Sequence, residues 1–202
     1  EFLLTHPVTS SRIADARGRA ANLPPMKLND NFDYHLMKTR VKLHFMANNS
    51  AAITEFRSRL KNPKLDKDIS LYGLSLALTR DRQFAEAGEG FNYLRRKDRS
   101  SIAYIVGQAE LWTDSGKAAK AIQLLSTQLR YNPNNHPLTI TYVNTLRRQG
   151  EFDQAENLLT KYITLRKTDP QLWHQLAEIR GLKGNIIGLH EARAEYYMLN
   201  GA

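Results

Sequence analysis

The chain of 202 residues contains no cysteine. That absence removes disulfide cross-links, a thiolate nucleophile, and any zinc or iron–sulfur site held by cysteine. It does not fix the redox compartment, since exported proteins also lack cysteine. No apolar run approaches the ~18 residues that a membrane span needs, and no signal peptide is recognisable. An HExxH string is also missing. The nearest is His190-Glu191-Ala192-Arg193-Ala194, where Ala194 takes the place of the second His. No Ser/His/Asp constellation stands out either, so the chain itself carries no catalytic machinery that can be read from its residues.

Charge of one sign is scarce over most of the length. Lys and Arg number 29 against 20 Asp and Glu, a formal net charge of +9. Residues 1–67 account for most of that excess, with 12 Lys and Arg against 6 Asp and Glu. The remainder is close to neutral. A nucleic-acid binder would carry a basic stripe along an ordered surface. Lys38, Arg40 and Lys42, with Phe45 nearby, are the one local hint of such a stripe. They leave a basic nucleic-acid-binding helical domain open as an alternative, but no continuous track follows them. Hydrophobic residues make up 42%, enough to bury a core.

What is present is a period of 34 residues. Gly116, Gly150 and Gly184 are spaced by 34, as are Ala87, Ala121 and Ala155, and Phe91, Leu125 and Leu159. Units placed on this period begin at 34, 68, 102, 136 and 170 and need no gap. Each reads as a helix, a tight turn and a second helix. The glycines supply the φ > 0 that the turn requires. Arg82 and Asn48 stand in for glycine in the first two units, and of the two Asn tolerates that conformation better. The small residue twenty positions into each unit lets the second helix press against the first, with Ile53 and Leu189 as exceptions at the ends. Asn132-Pro133 and Asp169-Pro170 are expected to end second helices.

These spacings and residue types resemble the tetratricopeptide repeat, a helix–turn–helix unit of that length. The resemblance covers residues 34–202. It implies an all-α fold, a right-handed superhelix of helical hairpins. It also implies that the concave face, made mainly by the first helix of each unit, binds partner proteins. By the family pattern that face includes Tyr72, Leu76, Arg80, Ile140, Asn144, Arg147 and Arg148. Tyr72, Leu76 and Ile140 are then expected to bury part of a peptide, and the three arginines to pair with its carboxylates. A free-standing helical-repeat scaffold is the plainer alternative.

Residues 1–33 do not fit the repeat. Thr9 or Ser10 can cap a helix with Ile13, Ala16 and Ala20 on one face, and Leu23-Pro24-Pro25 ends it. The run Thr5-His6-Pro7-Val8-Thr9-Ser10, followed by Arg12-Ile13-Ala14-Asp15, resembles the end of the catalytic domain in the zinc metallopeptidases of the HtpX and CAAX-protease type. Its position just before tetratricopeptide repeats is similar to the arrangement in the periplasmic beta-barrel assembly-enhancing proteases of Gram-negative bacteria. The resemblance implies that residues 1–33 are the tail of a peptidase domain lying outside this chain, and that residues 34–202 are its repeat domain. Glu1 in place of an initiator Met, and the ending Asn200-Gly201-Ala202, agree with a piece of a longer protein.

The family holds zinc through two His of an HExxH helix and a downstream Glu, with the intervening Glu as general base. None of these is in the chain, so zinc is expected only in the catalytic domain of the parent, a zinc metalloendopeptidase. His6 is the one residue here that the resemblance places near that zinc, as an extra ligand or a gate. Arg12 is expected to tie the helix to the catalytic domain. The implied partners are outer-membrane protein precursors or the barrel-assembly complex, in the periplasm, with no nucleic acid and no membrane span. The oligomeric state is left open.

Overall fold

A computed structural model describes residues 9–23 and 30–201. His6, Pro7 and the Pro24-Pro25 linker lie outside the described residues. The chain divides into two compact units, residues 1–32 and 33–202. In the first, α1 (Thr9–Ala21) is a single exposed helix carrying an ion pair between Arg19 and Asp15, one turn apart.

The second unit is built from ten helices among the described residues: α2 (Phe32–Phe45, whose first residue falls in the other unit), α3 (Asn49–Lys61), α4 (Lys67–Arg80), α5 (Phe84–Lys97), α6 (Ile102–Asp114), α7 (Ala118–Tyr131), α8 (His136–Arg148), α9 (Phe152–Ile163), α10 (Pro170–Leu182) and α11 (Ile186–Leu199). They follow one another as five hairpins, each joined by three residues; α4–α5, α6–α7, α8–α9 and α10–α11 pack closely, whereas α2 and α3 stand further apart. Successive hairpins stack as a tetratricopeptide superhelix. The first helices of neighbouring hairpins, α4 with α6 and α6 with α8, also pack on one another and form its inner layer.

The turn chemistry is repeated with little change. Gly116, Gly150 and Gly184 have φ of 76°, 78° and 76°. In each case the next residue folds its amide back to the carbonyl five positions earlier. Lys117 donates to Trp112 at 2.7 Å, Glu151 to Leu146 at 3.0 Å and Asn185 to Arg180 at 2.9 Å. This satisfies a carbonyl that the helix end would otherwise orphan. Arg82 adopts the same conformation, φ 64°, and Gln83 donates to Leu78 at 2.9 Å. A side chain with a Cβ is strained there by about 1 kcal/mol. Arg82→Gly is therefore expected to raise stability by about 0.5–1 kcal/mol, even though it forfeits the guanidinium's approach to the Phe84 ring. A higher urea midpoint at unchanged slope checks this.

The first hairpin departs from the 34-residue register. Its helices lie 35 residues before α4 and α5, so the repeat begins one residue earlier than the spacing predicts. Asn48 does not take the glycine position. It sits at φ −104° and caps α3, its Oδ1 accepting the Ala51 amide at 3.1 Å. Likewise Ala52, and not Ile53, is the counterpart of Ala87; both alanines are fully buried. Without a left-handed residue in this turn, the Leu43 carbonyl takes the Met46 amide at 3.2 Å and the Arg80 guanidinium at 2.8 Å. Pro170 also differs from expectation. It opens α10 behind an Asp169 cap, with six residues between it and the end of α9. A proline costs nothing at a first helical position, where the amide has no partner anyway.

Close approach between hairpins rests on two glycines. Phe56 of α3 and Phe91 of α5 are buried and lie against Gly73 of α4 and Gly107 of α6. A Cβ at Gly73 would stand 2.3 Å from the Phe56 ring, and one at Gly107 2.5 Å from the Phe91 ring. Further along, where Leu125 and Leu159 replace the aromatic, the positions matching Gly107 are Thr141 and Gln175. Volume is thus exchanged between facing positions at constant packing.

Candidate partner-binding groove

The inner layer encloses two adjoining recesses of about 620 Å³ each. They share four residues: Arg40 of α2, Glu110 of α6, and Thr141 and Asn144 of α8. Arg40 and Glu110 make a two-pronged ion pair, Nη1 to Oε1 at 2.8 Å and Nη2 to Oε2 at 2.9 Å. Arg40 Nε also donates to the Tyr72 hydroxyl at 3.1 Å. The pair spans from the first hairpin to the third and forms a bar between the recesses. Burial would by itself lower the Arg40 pKa. Attraction to Glu110 and the Tyr72 hydroxyl outweighs it and leaves the guanidinium more firmly protonated than usual. Burial pushes the Tyr72 phenol up.

The first recess is lined by Leu43, His44, Leu76, Thr79, Arg80, Thr113, Asp114, Thr145, Arg147 and Arg148 besides the shared residues. Threonines from three successive first helices form its floor. Thr113 and Thr145 lie hydroxyl to hydroxyl at 3.0 Å. Each also lies within 2.8 Å of the carbonyl four residues back in its own helix, so one donates to that carbonyl while the other gives its proton across; Thr79 donates to the Ser75 carbonyl in the same way. The second recess opens on the other side of the bar. Met37, Ile102, Val106 and Ile140 give it apolar walls, and Asp33, Asp98, His136 and Pro137 stand around them. The His136 ring meets the Tyr162 hydroxyl at 3.1 Å, and burial lowers its pKa.

Of the residues expected on the concave face, Leu76, Arg80, Arg147 and Arg148 line the first recess, Ile140 the second, and Asn144 both. Tyr72 does not reach the surface. It is fully buried, edge-on to Phe91 and tilted against Tyr104, so it supports Arg40 from beneath and cannot bury a peptide. The arginines are not free. Arg147 pairs with Glu178 at 3.0 Å, Arg148 pairs with Asp114, and Arg80 holds the Leu43 carbonyl. A partner's carboxylate must compete with these contacts. Arg40, which the sequence groups with Lys38 and Lys42 in a nucleic-acid-like stripe, proves to be the bar across the groove. Lys42 pairs with Glu55.

His6 lies outside the described residues. Among the described residues no three His, Asp or Glu side chains come together in a way that could hold a metal ion. His174 and Glu178, four apart, approach only to 4.0 Å, and Glu191 of the HExxH-like string turns toward Arg180. These residues do not fit a zinc site, and no chemical step runs through zinc in them. Among the described residues no helix is long and apolar enough to cross a membrane.

Comparison with known proteins agrees with this architecture. A tetratricopeptide-repeat family model matches residues 113–179. The beta-barrel assembly-enhancing protease of Escherichia coli K12 is 28% identical over 204 residues, covering all of this chain and 41% of that protein. Its putative counterpart in Vibrio cholerae is 32% identical over 201 residues, covering 98% and 41%. The chain has the tetratricopeptide-repeat fold and is similar along its length to part of the beta-barrel assembly-enhancing proteases. It spans about two-fifths of the length of the curated relatives it matches. Two solved structures share the repeat fold. A thermophilic tetratricopeptide-repeat protein of Thermus thermophilus superposes with a TM-score of 0.66 at 21% identity, over 83% of this chain and 90% of that one. MamA of Desulfovibrio magneticus superposes at 0.58 and 11% identity, over 82% and 95%.

Proposed function

We propose that this repeat region is the partner-binding module of a periplasmic zinc metalloendopeptidase. Its inner groove recruits outer-membrane protein precursors or the barrel-assembly machinery to the catalytic domain. The observation that carries this reading is the pair of recesses meeting at the Arg40–Glu110 bar. Together they offer apolar walls and polar rims over the inner faces of α2, α4, α6 and α8, enough to seat an extended segment. A tetratricopeptide fold, with relatives named for barrel assembly, supports a protein as the ligand. In the whole protein, the family resemblance would bring His6 near the catalytic zinc.

A pull-down or crosslink to barrel-assembly proteins tests the reading. Arg147→Glu with Arg148→Glu should abolish capture, while the exposed outer pair Lys120→Glu with Lys161→Glu should leave it intact. Circular dichroism of both variants checks that the repeats stay folded. Capture that survives the inner pair counts against the groove.

A further inference from the structure

The two recesses differ in sign. In the first, Arg40 and Arg148 are matched by Glu110 and Asp114, Arg147 by Glu178 beyond the rim, and Arg80 has a carbonyl for partner and no described carboxylate. The first recess therefore keeps a positive surplus. In the second, Arg40 and Glu110 again cancel, and Asp33 and Asp98 remain. Asp98 spends one oxygen, Oδ1, on the Ser100 hydroxyl at 2.6 Å and on the amides of Ser100 and Ser101 at 2.8 and 3.1 Å. Oδ2 receives no hydrogen bond from a described residue. These contacts hold the Asp98 carboxyl below its usual pKa range, with Arg95 a minor contributor. Arg95 forms no ion pair with it and turns its own Nη1 to the Arg99 carbonyl.

Resting on the reading of the groove as a partner-binding surface, we infer that the second recess receives a lysine or arginine side chain of the bound segment. The aliphatic stem of such a residue lies along Met37, Val106 and Ile140, and its charged head meets Asp33 and Asp98 at the mouth. Long basic side chains divide in this way, stem in apolar surroundings and head in a polar rim. A purely apolar occupant would desolvate the two carboxylates without compensation. An acidic one would be repelled by them and drawn across the bar toward Arg80. The groove thus sets an order of charge along the bound segment.

Selection of a random heptapeptide display library on the intact chain tests this. Lysine or arginine should be enriched at one position beside apolar residues. In a selected peptide, Lys→Met keeps the stem and removes the charge. It should weaken binding about fivefold, the worth of roughly 1 kcal/mol of partly exposed ion pairing. With Asp33→Asn and Asp98→Asn in the protein, the same Lys→Met change should matter less than about twofold, as the pairing is gone. Equal binding of the Lys and Met peptides to the unaltered chain overturns the inference, as does a preference that persists in the double variant. Ile140→Arg separates the two levels of the proposal. If it abolishes all peptide binding while Lys and Met peptides bind the unaltered chain alike, only the basic occupant fails. If selected peptides bind regardless of Ile140→Arg, or none is selected, the groove itself fails and the basic occupant with it.

Discussion

Gly107→Ala should cost the repeat region about 2–3 kcal/mol, although alanine favours a helix by about 1 kcal/mol over glycine. The new methyl would stand 2.5 and 2.7 Å from two ring carbons of Phe91, which is fully buried between α5 and α6. The ring cannot yield without disturbing Tyr72, which it meets edge-on. The hairpin α6–α7 would have to move away from α5, and the inner face would open with it. Phe91→Leu alone should destabilise by about 1 kcal/mol through the lost aromatic volume. Combined with Gly107→Ala it should recover at least half of the loss, because neighbouring substitutions that exchange volume are not additive. Urea unfolding of the four proteins of this cycle reads the effect. An unchanged midpoint for Gly107→Ala would show that the α5–α6 approach is looser than described.

Glu110→Ala should have an effect of similar size, about 2–3 kcal/mol, concentrated in the first hairpin. It leaves the partly buried Arg40 guanidinium without its two-pronged acceptor, and an orphaned charge costs more than a lost neutral hydrogen bond. The damage is local because α2 approaches its own partner α3 less closely than the other first helices approach theirs. Its attachment depends on the buried Leu36 and Leu43, on the Arg40 bar and on Arg80 at the Leu43 carbonyl. Hydrogen exchange should speed up in α2 and remain unaltered in α10 and α11. Arg40→Met combined with Glu110→Leu should restore most of the stability, since removing both charges removes the penalty. That double variant also dissolves the boundary between the recesses.

The later hairpins are legible in the sequence because their constraints are local. A left-handed turn asks for glycine and a close crossing asks for alanine, and both recur at 34 residues as Gly116, Gly150, Gly184 and Ala87, Ala121, Ala155. The first hairpin is less legible. Asn48 can serve a left-handed turn or a helix cap, and spacing alone does not choose between them. The extra residue lies in the link of residues 62–66, where nothing periodic marks it. The groove is legible in part. Family positions identify Leu76, Ile140, Asn144 and the arginines of α8, but not that Tyr72 is buried or that Arg80 is already engaged. Along the chain, Arg40 looks like one of three cations in a row. Its real partner stands 70 residues away on α6, and pairing at that distance leaves no local signal. The threonine floor is hidden for a related reason. Thr79 and Thr113 are 34 apart, Thr145 is 32 beyond Thr113, and the last therefore falls outside the repeat's own period.

Photocrosslinking in the intact parent protein bears most directly on binding at the inner face. Benzoylphenylalanine placed at Asn144, which borders both recesses, is compared with the same group at the exposed Asn157 on the outer helix α9. Adducts to a partner protein from position 144, with none from 157, are the expected result. Adducts from position 157 and none from 144 would contradict it.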